Sequence, residues 1–321
     1  MIIACGPGEE AANNAALPDA SSAQLVEPPV LTATISGFEG PESVLYDADQ
    51  DAYLITNAAG SRTARDGNGF ITRVHAESLA YPHMRWVASG RNQVQLHAPR
   101  GMAIQGDTLW VADIDQLRGF HRRTGDPLGG VDLAPAGAVF LNGVAVGADG
   151  SVYVTDSGLR YESDGSVSYP GPFRVFRIAG RSPSVALAGD TLASPDGIAW
   201  APDRARFVIA SFGGPSLFSW SPGGGSASLS VLVDGPGMYD GVVVTAGGEI
   251  LVTSWADSSL YMLPAGDGAT DGLRRIISGV ERPADIGWDE RRKLVAIPLF
   301  GENRVVFYDL SRVTADRAGD S

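Results

Sequence analysis

Six stretches of the chain repeat one another, and no other feature limits the fold as tightly. They are PESVLYDADQDAYLITN (41–57), PRGMAIQGDTLWVAD (99–113), LNGVAVGADGSVYVTD (141–156), PDGIAWAPDRARFVIAS (195–211), YDGVVVTAGGEILVTS (239–254) and PADIGWDERRKLVAIP (283–298). Each runs in the same order: a leading residue, a second residue of variable chemistry, a small or polar residue, an apolar strand, a turn and a second β-rich strand. The variable residues are Glu42, Arg100, Asn142, Asp196, Asp240 and Ala284, spaced by 58, 42, 54, 44 and 44 positions. Further strands follow, as in FRVFRIAG (173–180) and SLYMLPAG (259–266). A repeat of about 45 residues with about four strands is the signature of a propeller blade. The spacing is too long for a β-helix rung and too regular for a sandwich. The expectation is therefore an all-β, six-bladed β-propeller with four antiparallel strands per blade.

The strand PVLTATISG (29–37) precedes the first blade and is expected to pair with RVVFYDL (304–310) in the last. That pairing would close the ring and remove two open sheet edges. The domain reading is a disordered polar tether over 1–28, the propeller over 29–313 and a flexible tail over 314–321. The 41 glycines and 20 prolines are spread between short apolar runs, as a chain of hairpins requires.

A net charge of −13 repels phosphate backbones and anionic lipid, which argues against a nucleic-acid partner. The single cysteine, Cys5, excludes a disulfide within the chain. Ile2-Ile3-Ala4-Cys5 resembles a bacterial lipobox, and a Gly/Ala/Asn/Ser-rich stretch follows it. The basic region and most of the apolar core of a signal peptide do not precede it, so this reading requires an upstream start. On that reading the protein is lipid-anchored through Cys5 in the bacterial periplasm or cell envelope; if the match is chance, it is cytoplasmic. Nothing in the sequence calls for an obligate oligomer, and a monomer is expected.

In a propeller the first strand of each blade lines the central channel, so the six variable residues converge on one mouth of it. Four carry oxygen donors: Glu42, Asn142, Asp196 and Asp240. Asn-Gly and Asp-Gly are also common turn dipeptides, and singly each means little. Four in register, with no His or Cys among them, point to a hard cation, calcium before other divalent ions. Three carboxylates gathered without a cation would repel one another and gain protons.

This layout, Glu on blade 1, Asn on blade 3 and Asp on blades 4 and 5, resembles the gluconolactonase/regucalcin family of calcium-dependent six-bladed propellers. The resemblance covers nearly all of the chain after residue 36. It implies a calcium ion held by Glu42, Asn142, Asp196 and Asp240, and hydrolysis of a lactone or similar small ester. Asp240 matches the aspartate that both touches the ion and acts as general base on water. Glu39-Gly40-Pro41 carries the family's Glu-Gly-Pro letters, which makes Glu39 the alternative blade-1 ligand; Glu42 keeps the register of the other blades and is preferred, with Glu39 then a supporting or turn residue. Asp196 stands where the hydrolases more often have Asn. Arg100 stands where the related paraoxonases have a catalytic His, and an arginine cannot serve as a base. It suits either an anionic substrate group or the role of counter-ion to the carboxylates.

His97 and Tyr239 are further candidates for contact with a small-molecule substrate, and Asp285 for support of the metal site. Phe140 and Phe212 are candidate pocket aromatics. Asp113 and Asp156, which end second strands, read as loop-holding groups. The long connections NAAGSRTARDGNGF (57–70) and DSGLRYESDGSVSYPGPF (156–173) are expected near the mouth. Two other functions remain open: a non-enzymatic binding propeller of the NHL type with a structural ion, and a lyase or epimerase using the same cage.

Overall fold

The computed structural model describes residues 28–162, 166–169, 171–266 and 272–314. Cys5, the expected tether and most of the expected tail lie outside the described residues.

Strand β1 (Val30–Ser36) is the first strand among the described residues and belongs to the sheet of the last blade. Blade 1 is built from β2 (Pro41–Asp47), β3 (Ala52–Asn57), β4 (Phe70–His75) and β5 (His83–Ala88). Blade 2 follows with β6 (Pro99–Gln105), β7 (Thr108–Asp113), β8 (Gln116–His121) and β9 (Pro127–Asp132). Blade 3 holds β10 (Leu141–Val146) and β11 (Val152–Asp156), then a short hairpin of β12 (Arg160–Tyr161) and β13 (Val167–Ser168), then β14 (Arg174–Ala179) and β15 (Ser182–Ala188). Blade 4 is β16 (Pro195–Ala201), β17 (Arg206–Ser211), β18 (Ser216–Trp220) and β19 (Ser230–Asp234). Blade 5 is β20 (Tyr239–Val244), β21 (Ile250–Ser254), β22 (Ser259–Leu263) and β23 (Arg274–Ser278). Blade 6 takes β24 (Gly287–Asp289), β25 (Leu294–Leu299) and β26 (Arg304–Asp309).

Each blade is a four-stranded antiparallel sheet, and the sixth is completed by β1 in the order β1-β26-β25-β24. The pairing runs from Val30 opposite Asp309 to Ser36 opposite Arg304. The ring thus closes as the sequence predicts.

Burial explains the sequence character of each strand position. Second strands are sandwiched between neighbouring blades, so AYLITN, ILVTS and LVAIPL are buried along their whole length. Outer strands are more exposed: β5 alternates between exposed and half-buried positions along its first four residues, and β9 is exposed except at Val131. The seams between blades are filled by large side chains. Tyr153 of blade 3 packs with its ring centroid 4.6 Å from Phe207 and 5.9 Å from Trp220 of blade 4. Such aromatic contacts add about 0.5–1.5 kcal/mol each beyond the area they bury.

The first strands carry a feature that the repeat alignment does not reveal. In blade 1 the pairing steps from Pro41–Asn57 to Val44–Ile55, which leaves one extra residue on the inner strand. The same bulge recurs in the next four blades, between Pro99 and Met102, Leu141 and Val144, Pro195 and Ile198, and Tyr239 and Val242. Each bulge contains the variable residue and the small residue after it. Bulges re-aim side chains, and here the variable side chain turns into the channel mouth.

The small residue is required because the blades crowd at the axis. A Cβ on Gly197 would lie 2.3 Å from the Asp240 carbonyl oxygen, and one on Gly143 would lie 2.5 Å from that of Asp196. Blades 1 and 6 solve the same problem differently. Ser43 and Asp285 sit at this position and form a parallel bridge, in which Asp285 N donates to Glu42 O (2.9 Å) and Val44 N to Asp285 O (3.0 Å).

Candidate functional site

Second strands hold the bulges in shape. Gly143 N donates to Thr155 Oγ1 (2.8 Å), and that hydroxyl donates onward to the Asp196 carbonyl (2.6 Å) in the next blade. Thr253 repeats the arrangement, accepting from Gly241 N (2.8 Å) and donating to Ala284 O (3.1 Å). Thr56 accepts from Ser43 N (2.9 Å). The residues closing the second strands anchor the loops that lead into the bulges. Asp113 accepts from Ala98 N (2.8 Å) and Asp156 from Phe140 N (2.9 Å). These two carboxylates are loop-holding groups, as the sequence implies.

The variable residues meet at the floor of a cavity of about 250 Å³ at one mouth of the channel. Glu42, Arg100, Asn142, Asp196, Asp240 and Ala284 all line it. Glu42 is the second residue of β2, the position that Arg100, Asn142, Asp196 and Asp240 hold in their own strands. Glu39 lies on the surface, 3.6 Å from Arg85, and does not line the cavity.

Arg100 is buried, and its Nη1 donates to Glu42 Oε1 at 2.9 Å. Its guanidinium lies 3.8 Å from the centre of the Phe140 ring, and its Nη2 donates to the Arg62 carbonyl at 3.3 Å. The structure therefore seats Arg100 as the counter-ion of Glu42. Among the described residues, Glu42 Oε2 and Asp240 Oδ1 are buried without a hydrogen-bond partner. Asn142 directs its amide nitrogen toward Ser157 Oγ at 3.5 Å.

One guanidinium does not balance this many acids. Burial pushes the Asp240 carboxyl well above its ordinary range, and Asp196, Glu42 and Asp285 push it further. Asp196 is raised in the same way by burial and by Glu42, with Arg100 opposing. Glu42 is raised by burial and pulled back by Arg100. Asp285 lies outside the cavity wall and is partly exposed. It accepts from Ser43 Oγ at 2.6 Å, and burial together with Glu42 lifts it to about 7 despite that bond.

A hard divalent cation fits this donor set: oxygen only, anionic in excess, with two buried carboxylate oxygens unpaired. A finished cage is not present. Among the described residues, no three His, Cys, Asp or Glu side chains form a group able to hold a metal ion. Arg100 occupies one oxygen of Glu42, so an ion would compete with it there.

Two sequence candidates lie elsewhere. His97 Nδ1 accepts from Gly67 N (3.0 Å) in a separate surface cleft. Tyr239 is fully buried among Val242, Val252 and Leu217 in the core between blades 4 and 5. Neither lines the cavity.

Phe140 and Phe212 do line it, and both long connections contribute. Arg62 comes from the first connection, and Tyr161 and Tyr169 from the second. Trp255 and Phe300 complete the wall and are not singled out by the sequence reading. Their signal was present just beyond the repeats. The residue following the second strand is Phe212 in blade 4, Trp255 in blade 5 and Phe300 in blade 6.

No family model and no curated protein matches the chain. Many solved structures share its fold. A calcium-binding regucalcin from Agrobacterium tumefaciens superposes with a TM-score of 0.61 at 14% identity, covering 88% of this chain and 92% of that one. A gluconolactonase from Xanthomonas campestris gives 0.59 at 15%, covering 88% and 95%. Virginiamycin B lyase from Staphylococcus aureus gives 0.58 at 12%, covering 87% and 98%. The chain thus has the six-bladed propeller fold seen in gluconolactonase and regucalcin structures.

Proposed function

We propose that the protein is a calcium-dependent hydrolase of a lactone or related small ester, with another divalent cation as an alternative to calcium. The observation that carries this reading is the excess of buried acid at the cavity floor, with Glu42 Oε2 and Asp240 Oδ1 unpaired. Glu42, Asn142, Asp196 and Asp240 would hold the ion, which would polarise the substrate carbonyl and stabilise the oxyanion. The likeness to the gluconolactonase and regucalcin structures supports the reading at the level of fold.

The chain's own residues supply the rest. Asp240 is the general base. Burial and its acidic neighbours raise the proton affinity of its carboxyl, which suits it to accept a proton. The ionised carboxylate then takes a proton from water as the water oxygen bonds to the carbonyl carbon. The carbon–oxygen bond of the ring breaks, and the proton passes to the leaving alkoxide. Arg100 limits the charge on Glu42 throughout. On the same reading the partner is a small molecule and the protein works as a monomer. The envelope location rests on Cys5.

The Arg100–Glu42 pair favours a second reading, a binding propeller without turnover, because a built-in cation already serves one carboxylate. The full chain, stripped with chelator, should be titrated with calcium by calorimetry beside Asp240→Asn, and both tested on lactones and aryl esters. One-site binding weakened by the substitution, with turnover abolished by chelator, supports the hydrolase. No binding at millimolar calcium would leave the binding propeller as the account.

A further inference from the structure

The cavity wall differs in chemistry from its floor. Phe140 lies 6.4 Å from Tyr161, Phe212 lies 5.5 Å from Trp255 at 80°, and Trp255 lies 6.4 Å from Phe300. Arg62 joins the two arcs, with its guanidinium 4.2 Å from the centre of the Phe300 ring and 5.8 Å from that of Tyr161. Five rings and one guanidinium thus form a collar above the acids.

The collar offers little hydrogen bonding to a guest. Trp255 Nε1 donates to Pro283 O (3.0 Å), and the Tyr161 hydroxyl oxygen accepts from Arg62 Nη1 (2.8 Å). The wall serines are committed too: Ser157 Oγ donates to Pro195 O (2.7 Å) and Ser194 Oγ to Ser157 O (3.0 Å). At the outer rim Val167, Tyr169 and Met238 remain 41 to 44% exposed, an apolar approach to the mouth.

We propose that this collar selects a planar, ring-bearing apolar substrate, an aryl ester or an aryl-substituted lactone, and excludes polyhydroxylated sugar lactones. The floor can serve the carbonyl of either class. The wall discriminates, because apart from the Arg62 guanidinium its polar groups are already committed, so most sugar hydroxyls entering it would lose water without a replacement partner, whereas an aromatic ring meets faces and edges at stacking distance. The cavity, at about 250 Å³, is below the roughly 300 Å³ at which drug-sized sites begin, so it admits a small ring system and not a long chain.

The proposal takes the ester from the hydrolase reading, but its test does not need turnover. Non-hydrolysable lactams stand in for the substrates: a phenyl-substituted δ-lactam against gluconolactam. Affinity is measured by calorimetry and by quenching of tryptophan fluorescence, with calcium and with chelator, on the full chain and on Phe212→Ala and Trp255→Ala. Phe212 has no polar group to strand, so its variant keeps the test valid if Trp255→Ala fails to fold. The phenyl lactam should bind at least tenfold more tightly than gluconolactam, and Phe212→Ala should remove most of that preference. Equal affinities, a preference for gluconolactam, or a preference untouched by Phe212→Ala would overturn the proposal. If the preference holds but no ester is turned over, the collar stands and the hydrolase reading falls.

Discussion

Gly197→Ala is the sharpest probe of how the blades set the site. Gly197 occupies the bulge of β16, and an added methyl group would lie 2.3 Å from the Asp240 carbonyl and 3.0 Å from Val242 N. Ordinary contact begins at 3.4 Å, so the methyl group arrives about 1 Å too close. The obstacle is backbone of the neighbouring blade, which cannot rotate away as a side chain can. Gly197 has no left-handed φ, so the substitution adds volume without dihedral strain. Overpacking of this kind costs about 1–3 kcal/mol, and the rigid obstacle argues for the upper half of that range. For a domain of this size that lowers Tm by about 3–5 °C. The blades can relieve the contact by moving apart at the axis, which carries Asp240 with them. A displacement of about 1 Å at a reacting group costs on the order of a hundredfold in rate, so any calcium-dependent turnover should fall by that order while the outer strands stay native. Thermal melts, calcium calorimetry and ester turnover on purified Gly197→Ala measure each part. Gly223→Ala is the control, since a Cβ there meets nothing within 4 Å, and it should change stability by no more than about 0.5 kcal/mol. A Gly197→Ala protein that melts with the wild type and binds calcium equally well would refute the close-approach argument.

Removing Arg100 should expose how much it neutralises. Arg100→Leu leaves Glu42 buried without its partner and should cost about 3–5 kcal/mol at pH 8 in denaturant melts; the cost should shrink at pH 5, where Glu42 can take a proton, and an equal cost at both pH values would contradict the pairing. Chelated wild-type protein should lose stability as pH rises. Asp285 binds its proton more tightly folded (about 7) than unfolded (3.8), so its contribution is full below about pH 4 and is lost by pH 7, up to about 4 kcal/mol. Asp285→Asn should flatten this profile, and melting points that hold steady or rise from pH 5 to 8 would be inconsistent with it. Thr155→Val strands Gly143 N and the Asp196 carbonyl and should cost about 2–3 kcal/mol by urea unfolding; a loss below about 0.5 kcal/mol would mean water replaces the hydroxyl.

The repeat carried most of the fold into view, because a blade's first two strands differ from its outer ones in burial and so in residue type. The convergence of Glu42, Asn142, Asp196 and Asp240 followed from register alone. Tyr239 misled because its neighbour Asp240 does face the cavity, yet the same leading position holds Pro41, Pro99, Leu141, Pro195 and Pro283 elsewhere. A column that is apolar in every blade is a core column, and the bulge sends it away from the variable residue. Glu39 carries the family's letters but not the register, and with β2 beginning at Pro41 it is Glu42 that takes the cavity position. The bulge itself leaves no mark in a single sequence, because glycine after the variable residue reads equally well as a turn. Arg62 and Tyr161 lie in connections outside the repeat, where register gives no guidance. Trp255 and Phe300 lay within its reach, one and two residues past the aligned segments.

The pairing of β1 with β26 joins residues as far apart in the chain as Thr32 and Phe307, whose hydrogen bond spans 275 positions. A ribosome adding about 5–20 residues per second would take roughly 14–55 s to make the chain between them. For that interval the first strand exists without its sheet, and five blades can form before the one that completes the circle. The chain therefore spends its synthesis as an open arc with unpaired edges, and whatever guards those edges in the cell acts on a nascent protein rather than on the finished ring.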